Sequence, residues 1–214
     1  MPISSNNTHI SFNNNSTQNT AFLGSIAAAN ITGQITAPQI APGVIPSGGF
    51  TNIFTSTTPG PASWPAPPST SKIKVTVVGG GGGGGGRTGG ESPIAGTGGG
   101  GGGYAIKIIP VTGGTSYPYT IGGAGAPGPA GATGGTGGTT SFGSPATVSA
   151  TGGSAGSPGL GSSGDINFRG HTQIGPQGAG SYFGTFPSAA SGAPGSFAPC
   201  IGPAGTPGGI VIEY

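Results

Sequence analysis

Glycine constrains this chain more than any other residue type. Of the 214 residues, 52 are Gly and 22 are Pro. Each Gly held in regular structure costs about 0.5–1 kcal/mol relative to Ala, whereas a folded domain is stable by only about 5–15 kcal/mol. Close packing of backbone against backbone, association of subunits, or both must offset that cost. An obligate oligomer is the simplest solution, because its folding and its assembly are one equilibrium.

The glycines are ordered in two patterns. Gly79–Gly86 and Gly98–Gly103 are uninterrupted runs, and residues 122–139 form six consecutive Gly-X-Y triplets. A left-handed extended helix has three residues per turn and no internal hydrogen bonds, so a Gly at every third position gives it a bare edge for lateral bonding. We therefore expect packed polyglycine-type helices or ordered loops within one chain. A collagen triple helix is the competing interpretation, although Pro occurs only at Pro127 and Pro129 within the triplets.

The second half of the chain carries strand patterns. Lys72–Val78 alternates and is rich in β-branched residues, which is typical of a strand. Further strand candidates are Tyr104–Ile109, Tyr117–Ile121, Thr139–Phe142, Ala146–Ala150 and Gly209–Tyr214. The apolar terminal strand needs a partner, and we expect it to pair with the first one. The predicted fold class is all-β: a compact β-sandwich-like domain with glycine-rich loops of polyglycine II type, preceded by an extended N-terminal attachment segment.

Composition divides the chain into three parts. Residues 1–45 are an N-terminal segment of their own, for which a family resemblance, and not composition, implies attachment and trimerisation; residues 46–70 are predicted to be a Pro/Ser/Thr-rich linker, and 71–214 the glycine-rich β domain. Over residues 31–45, apolar residues recur every four or five positions with Pro and Gly between them, a spacing that suits an extended chain wound around copies of itself better than a helix. The candidate attachment and trimer residues are Ile10, Phe12, Ile31, Ile35, Ile40 and Ile45.

The scarcity of charge excludes several functions. The chain has five Lys and Arg, three Asp and Glu and two His, too few for electrostatic capture of nucleic acid.

The chain contains no run of 18 apolar residues, so no membrane insertion is expected. The N-terminus lacks the basic and apolar regions of a signal peptide, so synthesis in the cytosol is expected. Cys200 is the lone cysteine, which excludes an internal disulfide framework.

Reaction chemistry is also nearly absent. The segment from Gly81 to Thr88 imitates a phosphate-binding loop, but Arg87 stands where the Lys belongs and the following Gly-Gly-Glu-Ser-Pro does not suit a helix start. Asp165, in Gly-Asp-Ile-Asn, is expected to be a turn residue that bonds its own backbone. No enzyme activity, cofactor or metal is expected.

A late group of aromatic residues lies in a stretch with no strand pattern. These residues are Tyr182, Phe183, Phe186 and Phe197. They could fill small cores beneath loops, or form an exposed patch for a sugar or a protein surface, and they are our candidates for receptor contact. Trp64, just ahead of the predicted domain, is expected to pack across its end.

Several segments resemble a known family. Trp64-x-Pro followed by Lys72-Ile-Lys-Val-Thr-Val-Val-Gly-Gly is similar to the opening of the glycine-rich domain found in bacteriophage tail fibre proteins. Segments from Tyr104, Tyr119 and Gly138 and the closing Gly208-Gly-Ile-Val-Ile-Glu-Tyr follow the same pattern in order, and the resemblance covers about residues 64–214. Ile10-Ser-Phe with Thr17-Gln-Asn-Thr-Ala resembles a segment common near the start of virion fibre proteins.

This resemblance implies a virion structural protein, usually trimeric, with an anchoring N-terminus, an outward C-terminal domain and no catalytic residues. The first hypothesis is a homotrimeric phage tail fibre or fibre-like appendage, assembled in the host cytoplasm, that attaches to other virion proteins and adheres to a host cell-surface glycan or protein. A capsid decoration protein or head fibre is the alternative. An ice-binding or matrix glycine-rich protein is a second alternative, of a different class.

Overall fold

A computed structural model describes residues 49–90, 94–171 and 199–214. This part of the chain contains two five-stranded antiparallel sheets and no helix, so none that is long and apolar enough to cross a membrane. The strands are β1 (Ile53–Ser56), β2 (Gly60–Pro65), β3 (Lys72–Val78), β4 (Tyr104–Pro110), β5 (Ser116–Ile121), β6 (Thr140–Phe142), β7 (Val148–Ala150), β8 (Gly161–Ser162), β9 (Ile166–Phe168) and β10 (Gly209–Glu213). The first sheet has the order β1-β10-β3-β4-β9 and the second has the order β2-β5-β6-β7-β8.

The apolar core lies between the two sheets. On β3, the side chains of Ile73, Val75 and Val77 are fully buried, while those between them are more exposed, as the period of two along a strand requires. The second sheet contributes Ile121 and Phe142 to the same cluster, with others. The all-β, sandwich-like prediction is confirmed, and so is the pairing of β10 with β3.

The first two strands lie in the segment predicted as a linker over 46–70. β1 pairs with β10, and β2 pairs with β5, so the compact unit begins at Gly48 and not at residue 71. Both strands lie at sheet edges. Pro is tolerated there because one side of an edge strand has no ladder partner and needs no N–H donor. Trp64, on β2, is 2% exposed and meets Tyr214 edge-on at a centroid distance of 5.3 Å, so it lies inside the domain.

The run Gly79–Gly86 is the centre of a second, glycine-based core. Its backbone N–H groups, with that of Arg87, donate in turn to three antiparallel segments, 97–103, 132–138 and 200–206, at 2.7–3.0 Å. Each segment is met once every three residues, the period of a polyproline II-type helix. The donor–acceptor pairs are Gly79–Gly103, Gly82–Gly100 and Gly85–Thr97; Gly80–Gly138, Gly83–Gly135 and Gly86–Ala132; Gly81–Thr206, Gly84–Pro203 and Arg87–Cys200.

The Gly-X-Y triplets belong to the same bundle. The N–H groups of Gly125 and Gly128 donate to the carbonyls of Gly81 and Gly84, both at 2.9 Å. These bonds lie within one chain, whereas a collagen triple helix would need two further chains. The polyglycine prediction for 122–139 is therefore confirmed, and we call this assembly of segments the glycine bundle.

Close backbone approach explains why the bundle requires glycine. A Cβ atom built on Gly83 would lie 1.8 Å from the carbonyl oxygen of Ala126, and one on Gly102 would lie 1.9 Å from that of Gly79. All eight residues of Gly79–Gly86 are buried. Main chain packed on main chain thus takes the place of apolar side chains in this half of the domain.

The bundle has two distinct ends. At its base, Gly79 follows β3 and Gly103 precedes β4, so the sandwich supports it directly. At its tip, Arg87 pairs with Cys200. At about 3.1 Å per residue, the run from Gly79 to Arg87 spans about 25 Å.

Candidate functional site

The site residues predicted from the sequence lie outside the described residues. This holds for the aromatic candidates Tyr182, Phe183, Phe186 and Phe197, and for the attachment candidates Ile10, Phe12, Ile31, Ile35, Ile40 and Ile45. They remain predictions. The described part of the chain offers a different candidate, on the first sheet.

The first sheet turns one face away from the core, and this outer face is unusually apolar. Ile53 is 67% exposed, Ile108 and Ile166 are each 48% exposed, and Phe168 is 40% exposed. The solvent face of an antiparallel sheet ordinarily carries polar side chains. An exposed apolar surface of this kind marks a site of interaction.

A groove of about 260 Å³ crosses the middle of the outer face. Its lining comes from three neighbouring strands: Lys74, Thr76 and Val78 of β3, Tyr104 and Ile106 of β4, and Val211 and Glu213 of β10. The strand register places these side chains on one face, with Val211 opposite Thr76 and Glu213 opposite Lys74.

An aromatic pair closes one end of the groove. The rings of Tyr104 and Phe168 are stacked, with centroids 5.6 Å apart and an interplanar angle of 22°. Tyr104 itself is only 5% exposed, while Phe168 covers it from the edge strand. This end of the groove presents a rigid apolar wall.

An ion pair stands at the other end. Lys74 Nζ lies 2.5 Å from Glu213 Oε2, and the two residues are direct cross-strand partners. The side chains of Lys74 and Glu213 are 33% and 25% exposed. Solvent therefore screens the pair, and its contribution to stability is small. Because Lys74 and Glu213 neutralise each other, the lining of the groove carries no net charge.

The phenol of Tyr104 responds to this environment. Burial raises the pKa of Tyr104 above its ordinary value of 10.0, and the nearby carboxylate of Glu213 raises it further. Both effects favour the neutral phenol. The groove is therefore lined by neutral groups and one closed ion pair, which suits the docking of an apolar surface.

The acid that was predicted to bond its own backbone acts elsewhere. Asp165 Oδ2 accepts a hydrogen bond from the backbone N–H of Ile108 at 2.8 Å. β9 pairs with β4 only as far as Ile106. The carboxylate of Asp165, the residue just before β9, therefore accepts the next N–H of β4 and prolongs the ladder by one hydrogen bond. Asp165 lies in the bend between β8 and β9, as the turn prediction had it. The predicted bond to its own backbone was wrong, because the N–H donor comes from a neighbouring strand that composition could not place.

Among the residues that the structure describes, no cluster of three or more His, Cys, Asp or Glu could hold a metal ion.

The sequence did contain a pattern that indicates the apolar outer face. Tyr104, Ile106 and Ile108 make one side of β4 apolar, and Ala105 and Ile109 do the same for the core side. A strand that is apolar on both faces needs cover on both.

Comparison with known proteins agrees with the glycine pattern. Residues 55–212 match the glycine-rich domain family. The match covers most of the chain and takes in both sheets, from β1 to β10. The chain therefore belongs to the glycine-rich domain family. No curated protein matches it.

Proposed function

We propose that this member of the glycine-rich domain family is a structural protein of a phage virion: a tail fibre or fibre-like appendage that displays the glycine bundle for adhesion to the host surface. The observation that carries the proposal is the bundle itself. It projects about 25 Å beyond the β-sandwich, and its lateral hydrogen bonds at 2.7–3.0 Å make it a stiff support. The ordered resemblance to tail fibre segments over about 64–214 supports the same function.

The near-absence of charge suits adhesion by shape. A chain with only eight Lys, Arg, Asp and Glu residues in all binds through complementary surface and stacking, and not through long-range attraction. Such binding depends little on ionic strength. A virion that meets its host in media of variable salt content gains from that property.

Association of copies completes the proposal. The outer face exposes Ile108, Ile166 and Phe168 beside a neutral groove, and a second copy of the chain is the occupant we propose for it, in a homotrimer. Burial of apolar surface contributes about 25 cal/mol per Å². Association of copies would offset part of the conformational cost of ordering so many glycines. Residues 1–45 would attach the assembly to other virion proteins.

The test is the assembled particle. Phage particles purified from cells that make this chain should contain it, and labelled antibody against the 71–214 region should mark the tail appendages in electron micrographs. The same antibody should block adsorption to host cells, whereas antibody against the major capsid protein should not. Particles that lack the chain would overturn the proposal.

Copy number separates the alternatives. A tail appendage is present in a handful of copies, whereas a capsid decoration protein or head fibre is present on the shell in much larger number, so quantitative mass spectrometry of purified particles decides between them. Thermal hysteresis of the pure protein, with no particle association, would favour the ice-binding alternative.

A further inference from the structure

The tip of the glycine bundle carries a buried cation. Arg87 is the first residue after the polyglycine run, and its backbone N–H donates to the carbonyl of Cys200 at 3.0 Å. It therefore continues the bundle's own bonding pattern, one turn beyond Gly84. The whole residue is only 6% exposed.

Among the described residues, two nitrogens of the Arg87 guanidinium have no acceptor. Its Nε and Nη1 atoms are both buried, and neither has a hydrogen-bond partner within the described structure. Arg remains charged at all ordinary pH values and carries five N–H donors. Burial of a charge without a partner is strongly unfavourable, so an unmet pair of buried donors calls for an anion.

The described carboxylates do not supply that anion. Glu213 is paired with Lys74, and Asp165 accepts from Ile108 N. Lys74 and Ile108 are cross-strand partners, so both carboxylates lie at the end of the first sheet that is farther from the bundle. The path from Lys74 along β3 and the glycine run to Arg87 is about 40 Å long at about 3.1–3.3 Å per residue. The third acid of the chain, Glu91, lies outside the described residues.

We propose that Arg87 is an anion-binding site at the tip of the bundle, and that it takes an oxyanion of the phosphate or carboxylate type. Guanidinium N–H groups bind such oxyanions through short, charge-assisted hydrogen bonds, often in pairs. The surrounding bundle is built of uncharged residues, so attraction comes from Arg87 alone. The inference concerns the chemistry of the tip, and it holds whether or not the chain is part of a virion.

The experiment titrates the full chain with inorganic phosphate and, separately, with acetate, at an ionic strength held constant with sodium chloride. Binding is followed by isothermal titration calorimetry and by the shift of the thermal unfolding midpoint. The wild-type protein should bind at one site and unfold at a higher temperature as the anion is added. Arg87→Met should bind each anion about 10–100-fold more weakly than the wild type.

Arg169→Met is the matched control, because Arg169 is an exposed Arg on the same domain. It should bind phosphate as the wild type does. Equal losses in the two variants, or a wild-type protein that binds neither anion, would overturn the proposal. Without added anion, Arg87→Met should unfold at the same temperature as the wild type or above it, because an apolar side chain replaces an unpaired buried charge. A lower midpoint would contradict the inference.

Two further variants keep the test decisive. Arg87→Lys retains the charge but not the planar fork, so it should fold and bind phosphate more weakly than the wild type; undiminished binding would overturn the proposal. Glu91→Gln tests a carboxylate from the chain itself. Phosphate affinity equal to that of the wild type supports an external anion, whereas phosphate binding that arises only in Glu91→Gln would show that the chain fills its own site.

Discussion

Replacement of a single glycine in the centre of the bundle is the sharpest test of the backbone-packed core. In Gly83→Ala, the new Cβ atom would stand 1.8 Å from the carbonyl oxygen of Ala126, where ordinary contact begins at 3.4 Å. That oxygen belongs to main chain, so no side chain can rotate out of the way. The strand of triplets has to retreat by about 1.6 Å, the difference between these two distances.

The displacement threatens hydrogen bonds on both sides of the residue. The bonds at risk are Gly83 N to Gly135 O at 2.8 Å, Gly125 N to Gly81 O at 2.9 Å, and Gly128 N to Gly84 O at 2.9 Å. Each buried group left without a partner costs about 1–3 kcal/mol. We therefore expect Gly83→Ala to lower the free energy of unfolding by about 3–6 kcal/mol. That is a large part of the free energy of unfolding of a typical domain, which is about 5–15 kcal/mol.

Gly123→Ala is the matched control within the same triplet segment. A Cβ atom there meets nothing within 4 Å, and the residue does not have a positive φ. It should leave stability unchanged or raise it by about 0.4–1 kcal/mol, because Ala restricts the unfolded chain. Chemical denaturation followed by circular dichroism measures both variants. If they agreed within about 1 kcal/mol, the claim that main chain fills this core would be refuted.

The remaining predictions concern the sandwich and its outer face. Trp64→Ala should lower the free energy of unfolding by about 3–5 kcal/mol, because Trp64 is 2% exposed and packs on Tyr214; urea denaturation measures it, and a loss below about 1 kcal/mol would contradict the core assignment. Ile108→Asp should dissociate the proposed homotrimer in analytical ultracentrifugation, since Ile108 is 48% exposed on the outer face. Thr120→Asp, at an exposed position on the second sheet, should not, and a monomeric wild-type protein would contradict the proposed interface. Because burial and Glu213 raise the pKa of Tyr104 above 10.0, the unfolded chain loses this proton first, so stability should fall as pH rises through about 10. Tyr104→Phe should flatten that decline in thermal unfolding series, and an unchanged slope would speak against it.

The sequence-based prediction succeeded where a pattern was local. β3 alternates with β-branched residues, and β10 is a short apolar run at the end of the chain, so both were predicted and paired correctly. The three-residue period of glycine likewise predicted lateral bonding. In these cases, the residues themselves fix the geometry.

The parts that were missed depend on distant partners. β1 and β2 are Pro/Ser/Thr-rich edges that become strands only because β10 and β5 offer them a ladder. β9 has three residues, all exposed, and its ladder on β4 is prolonged by the carboxylate of Asp165. The groove is lined by three strands, β3, β4 and β10, which lie side by side in a register that no single window of sequence contains.

The position of Arg87 follows from the same lateral logic as the bundle. Every third residue of the run faces the same neighbour, so Gly81, Gly84 and Arg87 bond in succession to Thr206, Pro203 and Cys200. A side chain at Gly83 would meet the packed main chain, since its Cβ atom would lie 1.8 Å from the carbonyl oxygen of Ala126, whereas Arg87 lies at the tip, after the run has ended. The backbone of Arg87 is held as firmly as that of a glycine in the run, and its guanidinium is buried without an intrachain anion in the described structure. The stiff glycine core thus fixes the backbone of Arg87, and with it one positive charge, about 25 Å from the sandwich. A flexible Arg side chain without that support could not hold the charge at that point.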